Sequence, residues 1–324
     1  MIKKKGRGSG CLIWSLAIFA LLLATFFIGV SYLDRTLQSF NKKSFDGVER
    51  PDTVVDLSTR LNVLLIGVDA PTLDESARAD TIMLVSYEPR TNKLYLFSIP
   101  RDTYVEPPGF GHCKINATNN PDFNPAFGTL MLLKTVEKLL GIKVHAYIKT
   151  NFQGFVKVID ILGGVTINIE KDMVYYDPID KYKIDLKKGI WRLNGQAALQ
   201  YVRFRADLAD FAVRDGKPVG RVGRQANFIR AIFKEISQPR NWFKLGQVGE
   251  AAADAIETDL PPQLIMRLAT QLLSLKPDDI QALAFPGDDA TIDAQSYIIA
   301  NKEKLQKLVL EFLSDEPKTI QSNP

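Results

Sequence analysis

Between Cys11 and Leu33 the chain runs 23 residues without a charge, and this stretch fixes the layout of the rest. As an α-helix it would span roughly 35 Å, enough to cross the hydrocarbon core of a bilayer. Lys3, Lys4, Lys5 and Arg7 precede it, with no acid in the first ten residues. A basic flank of this kind stays inside, so the remainder is expected outside the cytoplasm. The exit Tyr32-Leu33-Asp34-Arg35 offers no small-residue cleavage site, which favours an uncleaved signal anchor over a cleaved signal peptide. The expected order is a cytoplasmic basic tail (1–10), a transmembrane anchor (11–33) and a stalk (34–60). A single-pass, membrane-attached extracytoplasmic domain follows, with a polar tail from 315 to 324.

The same tail explains the charge. The chain carries 41 Lys and Arg; without the four at the N-terminus, 37 basic residues face 37 acidic ones. The body is neutral, so no nucleic-acid partner is implied. Two cysteines, Cys11 and Cys113, make neither a disulfide framework nor a zinc site. With His112 and His145 as the only histidines, a His-based triad or metal centre is disfavoured.

Beyond the stalk, short apolar runs alternate with helical periodicity. Strands are expected at 61–68, 81–87 and 93–99, the last two joined by a Pro89-Arg90-Thr91-Asn92 turn. Helix 129–140 closes at Gly141, and strand 144–149 follows. Asn151 caps a helix to Leu162 that stops at Gly163-Gly164, before strand 165–169. Residues 172–192 read as an exposed loop or hairpin. Further helices are expected from Asn194 to Tyr201, over 221–236, 241–256 and 262–274, and over 294–313, with a strand at 279–285. This pattern predicts an α/β fold: an α-β-α sandwich around a central mixed sheet, preceded by one transmembrane helix. On periodicity alone helices 129–140 and 151–162 are core, with a lipid-lining role as the sharper alternative.

Three places carry more charge than structure asks for. Asp69 leaves one apolar strand, and Arg78-Ala79-Asp80 enters the next. Strand ends can bring such carboxylates to one sheet edge, where a hard cation such as magnesium would relieve their repulsion; ordinary strand capping is the plainer reading. Arg101 and Asp102 follow the third strand, at the usual ligand-contacting end of an open α/β sheet, and Lys114 adds a cation beyond a Pro/Gly-rich loop; a local surface ion pair is the alternative. Arg203, Arg205, Arg214, Arg221, Arg224 and Arg230 crowd between 203 and 230, with Gln225 one turn after Arg221. Guanidinium groups suit phosphate oxygens, though each alone reads equally well as a solvated face.

In series, these stretches resemble a known family. Arg78-x-Asp80-Thr81, Ser98-Ile99-Pro100-Arg101-Asp102, Lys114-Ile115-Asn116-Ala117, Asn151-Phe152-x-Gly154-Phe155, Asp160-x-Leu162-Gly163-Gly164, Leu193-Asn194-Gly195-Gln196, Tyr201-Val202-Arg203-x-Arg205 and Arg221-x-x-Arg224-Gln225 occur in that order. Together they look like the LytR-CpsA-Psr domain over residues 61–235, with 236–314 as an extension of the same domain. The resemblance implies a hydrophobic cleft for a polyprenyl chain and a phosphotransferase assisted by magnesium (or manganese). Such an enzyme moves a glycopolymer, such as wall teichoic acid or capsule, from polyprenyl diphosphate to peptidoglycan. It implies that Asp69 and Asp80 lie near the metal. Arg78, Arg101, Lys114, Arg203, Arg205, Arg221, Arg224 and Gln225 would lie around the diphosphate. The candidate catalytic set is Arg78, Asp80, Arg101 and Asp102, the last as proton acceptor. One position departs from the pattern: Pro218 stands where the family often has an aspartate, with Asp215 three residues earlier. The competing readings are a polyprenyl-diphosphate hydrolase and a non-catalytic polyprenyl-phosphate binder; a transcription regulator sits poorly with a neutral, outward-facing domain.

Overall fold

A computed structural model describes residues 58–73, 75–177, 182–204, 212–214, 217–238, 241, 247, 256–260, 262–272 and 274–315. The expected anchor at 11–33, the stalk up to residue 57, Arg205, Asp215, the polar tail beyond residue 315 and most of the stretch 241–256 lie outside the described residues. No helix among the described residues is long and apolar enough to cross a membrane.

The chain forms an α/β fold around a six-stranded mixed sheet. Its first three strands, β1 (Leu61–Val68), β2 (Ala79–Glu88) and β3 (Lys93–Ile99), make an antiparallel meander. Short β4 (Tyr104–Val105) and β5 (Cys113–Lys114) pair beside it, and α1 (Thr129–Leu140) follows. The chain then returns as β6 (Ala146–Asn151), parallel to β1, and enters α2 (Phe152–Leu162). Next come β7 (Val165–Ile169), the hairpin β8 (Met173–Asp177) and β9 (Tyr182–Leu186), and β10 (Gly189–Leu193), which pairs with β7. α3 (Gly195–Arg203), the small ribbon β11 (Val213–Arg214) and β12 (Lys217–Pro218), and α4 (Gly220–Ile236) continue the chain. β13 (Ile256–Thr258) and β14 (Ile280–Leu283) complete the two sheet edges on either side of α5 (Pro262–Leu272). A last hairpin, β15 (Gly287–Ile292) and β16 (Gln295–Ala300), leads into α6 (Lys302–Phe312).

Strand alternation assigns the faces. Leu64, Ile66 and Val68 of β1 join Phe97 and Ile99 of β3 in one core, packed against Leu132, Leu133 and Val136 of α1 and Leu305 and Val309 of α6. Leu61 and Val63 point the other way, with Met83 and Leu96, toward Ala226 of α4 and Leu264 and Leu268 of α5. Burial on both faces is why β1 and β3 read as nearly continuous apolar runs. A third core lies beside this sandwich, where Ile159 and Leu162 of α2, Ile167 of β7, Ile184 of β9, Tyr201 of α3 and Phe228 of α4 meet. Helix α4 thus packs against both the sheet and the neighbouring unit.

Local signals set the element ends. The Asn151 side chain accepts a hydrogen bond from Gly154 N at 2.8 Å, and Asn194 accepts one from Ala197 N at 2.9 Å. Gly163 takes a left-handed conformation past α2. Gly195 is required by close approach: a Cβ there would sit 2.7 Å from Val156 Cα, so α3 starts directly against α2.

Three expectations are corrected. Residues 294–313 are not one helix: β16 occupies 295–300, and α6 begins only after Asn301, whose side chain caps Lys304 N. The strand expected at 144–149 runs from Ala146 to Asn151. The end of the stretch read as helix 241–256 enters strand β13 at Ile256. The hairpin expected within 172–192 is present as β8 and β9, where Ile184 and Leu186 point inward between Lys183, Asp185 and Lys187.

Candidate functional site

A cavity of about 690 Å³ lies between the second face of the sheet and helices α2, α3 and α4. Its deeper wall is apolar: Leu65, Met83 and Ile148 from the sheet, Phe155 from α2, and Phe228, Ile229 and Ile232 from α4. Its charged lining comes from Asp69, Asp80, Arg101, Arg203 and Arg221, with the polar Gln225 beside them. The first three sit at the ends of β1, β2 and β3. In an antiparallel meander the end of β1, the start of β2 and the end of β3 share one edge. The cavity therefore joins an apolar wall to a charged end.

Asp80 reaches this cavity through a β-bulge. Gly67 faces Thr81 across the sheet, but Val68 faces Ala79, so Asp80 is the extra residue. Ala79 and Ile82 both belong to the α1-side core, although residues three apart on a regular strand would face opposite ways. The bulge absorbs the odd count and turns Asp80 and Thr81 together toward the cavity.

The charged end is tied internally. Arg101 Nη1 donates to Asp80 Oδ1 at 2.5 Å, and Arg101 Nε lies 3.6 Å from Asp102 Oδ2. Lys114 Nζ donates to Asp102 Oδ1 at 2.8 Å. Arg203 Nη2 lies 3.8 Å from Asp69 Oδ2, and its guanidinium is held between the rings of Phe152 and Tyr182, at 4.3 and 4.4 Å from their centroids. Gln225 Oε1 accepts from Ser98 Oγ at 3.3 Å. Burial alone would lower the Arg101 pKa, but the Asp80 and Asp102 carboxylates outweigh it and the net shift is upward. Burial raises the Tyr182 phenol, against the lowering effect of Arg203.

Of the residues singled out in the sequence, Asp69, Asp80, Arg101, Arg203, Arg221 and Gln225 share the cavity. Asp102 and Lys114 form a pair beside it and do not line it. Arg78 is exposed and outside the lining, so the structure does not bring it to the cavity. Arg224 requires a correction. It is 1% exposed, donates to the Phe204 carbonyl and to Glu170 at 3.2 Å, and stacks against Phe204. It therefore anchors the chain after α3 onto α4 and does not line the cavity. Helix α1 packs on the opposite face of the sheet and lines none of this cavity, whereas α2 contributes Phe152 and Phe155. Sequence reasoning missed Phe152 and Tyr182 as the clasp on Arg203. An aromatic pair flanking an arginine from two distant elements leaves no local signal. Asn151, read only as a cap, also reaches the lining.

No group of three or more metal-ligating side chains occurs among the described residues. Asp69 and Asp80 supply two hard oxygen donors at the charged end. This fits an ion such as magnesium, which is commonly held by one or two carboxylates and completes its shell with water and phosphate oxygens. Cys113 is buried and in no disulfide, and burial pushes its thiol up to about 11, which disfavours the reactive thiolate.

Comparison with known proteins places this geometry in context. A polyisoprenyl-teichoic acid–peptidoglycan teichoic acid transferase, TagU of Oceanobacillus iheyensis, is 31% identical over 250 residues, covering 76% of this chain and 73% of that protein. The regulatory protein MsrR of Staphylococcus aureus is 30% identical over 296 residues, covering 89% of this chain and 83% of its own. The solved structure of YwtF (TagT), a LytR-CPS2A-psr family protein with bound octaprenyl pyrophosphate lipid, matches with a TM-score of 0.60 and 26% identity over 83% of this chain and 94% of that one. The LytR_cpsA_psr family pattern matches residues 30–312, and the chain belongs to that family.

Proposed function

We propose that this protein transfers a phosphate-linked glycopolymer from a polyprenyl-diphosphate carrier to peptidoglycan, on the outer side of the membrane to which residues 11–33 attach it. One observation carries this reading: a cavity apolar over its deeper wall and charged at the sheet edge has the polarity of a prenyl diphosphate. The names of the relatives and the lipid held by the matched structure point to the same substrate class.

The residues divide the work. Leu65, Met83, Ile148, Phe155 and Ile229 take the prenyl chain out of water, at about 0.8 kcal/mol for each CH₂ fully buried. Arg203, stiffened between Phe152 and Tyr182, and Arg221, in the first turn of α4, donate to the phosphate oxygens. Arg101 sits where negative charge accumulates on the bridging oxygen as the bond breaks. An acceptor sugar hydroxyl attacks the glycan-bearing phosphorus, and the bond from that phosphorus to the bridging oxygen breaks. Prenyl monophosphate leaves, and a phosphodiester joins glycan to acceptor. The hydroxyl proton passes to a carboxylate, for which Asp102 is placed by Lys114 and Arg101. Magnesium, held by Asp69 and Asp80, would supply further neutralisation of the diphosphate.

The test incubates the purified full chain with a short polyprenyl-diphosphate glycan, peptidoglycan oligomers and magnesium, beside Arg101→Ala. Mass spectrometry should find glycan joined to peptidoglycan through phosphodiester in the wild type, with the yield cut by Arg101→Ala. Cleaved lipid without conjugate would replace the transferase with a hydrolase, and intact bound lipid would replace it with a binding protein.

A further inference from the structure

The contacts that begin at Arg101 do not end at Lys114. The Lys114 ammonium lies 5.4 Å from the centre of the Tyr297 ring. Tyr297 meets Tyr104 edge-on at 5.0 Å, and Tyr104 stacks on His112 at 4.7 Å with only 8° between the planes. Three distant pieces of chain converge here. Tyr104 and Lys114 are register partners in β4 and β5, His112 directly precedes β5, and Tyr297 arrives on β16. The last hairpin is fastened in place by Ile298 N donating to the Asp102 carbonyl at 3.0 Å and by a bridge to Thr103. None of the three rings lines the lipid cavity, and none is fully buried: His112 is exposed, and Tyr104 and Tyr297 are partly so. Three clustered, solvent-reachable rings beside a charged pair make a surface suited to binding.

We infer that Tyr104, His112 and Tyr297 form the subsite for the acceptor sugar, a pyranose ring of a peptidoglycan glycan strand. This rests on the transfer reading above. A pyranose has a face of C–H bonds and an edge of hydroxyls. Aromatic rings suit the first, through apolar and weak C–H contacts, while Asp102 and Lys114 suit the second. Arg101 lies on the cavity side of Asp102, and the aromatic group lies on the other side of it through Lys114. A ring held there presents its hydroxyl to Asp102 and to a diphosphate at Arg101. The donor's own first sugar has the same chemistry, so the experiment separates the two sources.

Binding of glycan strands stripped of their stem peptides is measured by calorimetry on the full chain in detergent, without donor, for wild type, His112→Ala, Tyr297→Ala and Tyr297→Phe. Octaprenyl diphosphate binding and thermal melting in the same samples report the state of the fold. Each alanine variant should weaken strand binding by about 5- to 10-fold, while Tyr297→Phe stays within about 2-fold of wild type, because stacking needs the ring and not its hydroxyl. Unchanged strand affinity in folded His112→Ala and Tyr297→Ala overturns the assignment, as does a wild type that binds no strand. Weaker binding of a sugar-bearing prenyl diphosphate with unchanged strand binding also overturns it and gives the rings to the donor. Strand binding that needs these rings, in a chain that never forms conjugate, would sink the transfer reading and leave the subsite standing.

Discussion

Arg224 and Arg101 make a contrasting pair, because the family pattern groups both around the phosphate and the structure separates them. Arg224→Met removes a buried guanidinium that satisfies the Phe204 carbonyl, pairs with Glu170 and stacks on Phe204. An orphaned buried carbonyl costs about 1–3 kcal/mol, and losing the desolvated stack adds roughly 2 kcal/mol. Glu170 is half-exposed, so water can replace its partner, and the methionine recovers some apolar packing. The net cost is about 3 kcal/mol, which for a domain of this size lowers Tm by roughly 6–10 °C. Octaprenyl diphosphate affinity, measured well below the melting range, should stay within about 3-fold of wild type. Arg101→Met should do the reverse. Its side chain is 37% exposed, so melting should move by less than about 2 °C, while affinity falls on the order of tenfold or more with the loss of a charge-assisted contact to phosphate. Differential scanning fluorimetry and calorimetric titration on the same samples decide the matter. An Arg224→Met protein with unchanged Tm and tenfold weaker lipid binding would refute the reasoning and place Arg224 at the phosphate.

The remaining expectations concern titration, reactivity and metal. His145 is held neutral by burial, its pKa is lowered, and its Nδ1 accepts from Asn62 N at 2.9 Å. Below pH ~6.5 the unfolded chain binds a proton that the folded one resists, so stability falls as pH drops through that value toward the lower folded pKa. Melting at pH 7.5 and 5.0 should show a smaller drop for His145→Gln than for wild type, and equal drops would exclude His145 as the cause. Cys113, with its thiol near 11, should resist maleimide at pH 8 in a Cys11→Ser background and react on denaturation; rapid labelling of the folded chain would contradict the burial assigned to it. Octaprenyl diphosphate should bind more tightly with magnesium than with chelator, and Asp80→Asn should shrink that difference several-fold. An equal magnesium effect in the variant would remove Asp80 from the proposed metal site.

Much of the scaffold was legible because its signals are local. The apolar run 61–68 is a strand since both its faces are covered, and Asn151 and Asn194 cap the helices they precede. Three kinds of information were not. Depth was one: Arg221 and Arg224 lie three residues apart on one helix, but α4 packs against two cores, so one reaches the cavity while the other faces Phe204. Turn chemistry was another. The β15–β16 turn uses Asp293 and Ala294 at φ 48° and 61°, with no glycine to mark it, and the following residues were therefore read into a helix. The bulge at Asp80 was the third, because strand alternation in the sequence cannot reveal an inserted residue whose effect is registered only across the ladder.

The charges at the sheet edge bear on how the proposed lipid and cation would enter together. Asp69 and Asp80 face Arg101, Arg203 and Arg221, leaving one excess positive charge. A diphosphate diester brings two negative charges, so the occupied site would carry a net negative charge unless a further cation entered with the lipid. In a partly desolvated cavity that imbalance costs more than it would in water. The phosphates would also draw Arg101 away from Asp80 and Arg203 away from Asp69, freeing two carboxylates at the moment a divalent ion could use them. The ion pairs of the ligand-free protein hold these part-exposed carboxylates and guanidiniums in place, and lipid and metal would enter as a neutralising couple. Asp102 keeps its hydrogen bond from Lys114 outside the cavity lining, so under the proposed transfer it would stay available to an acceptor hydroxyl.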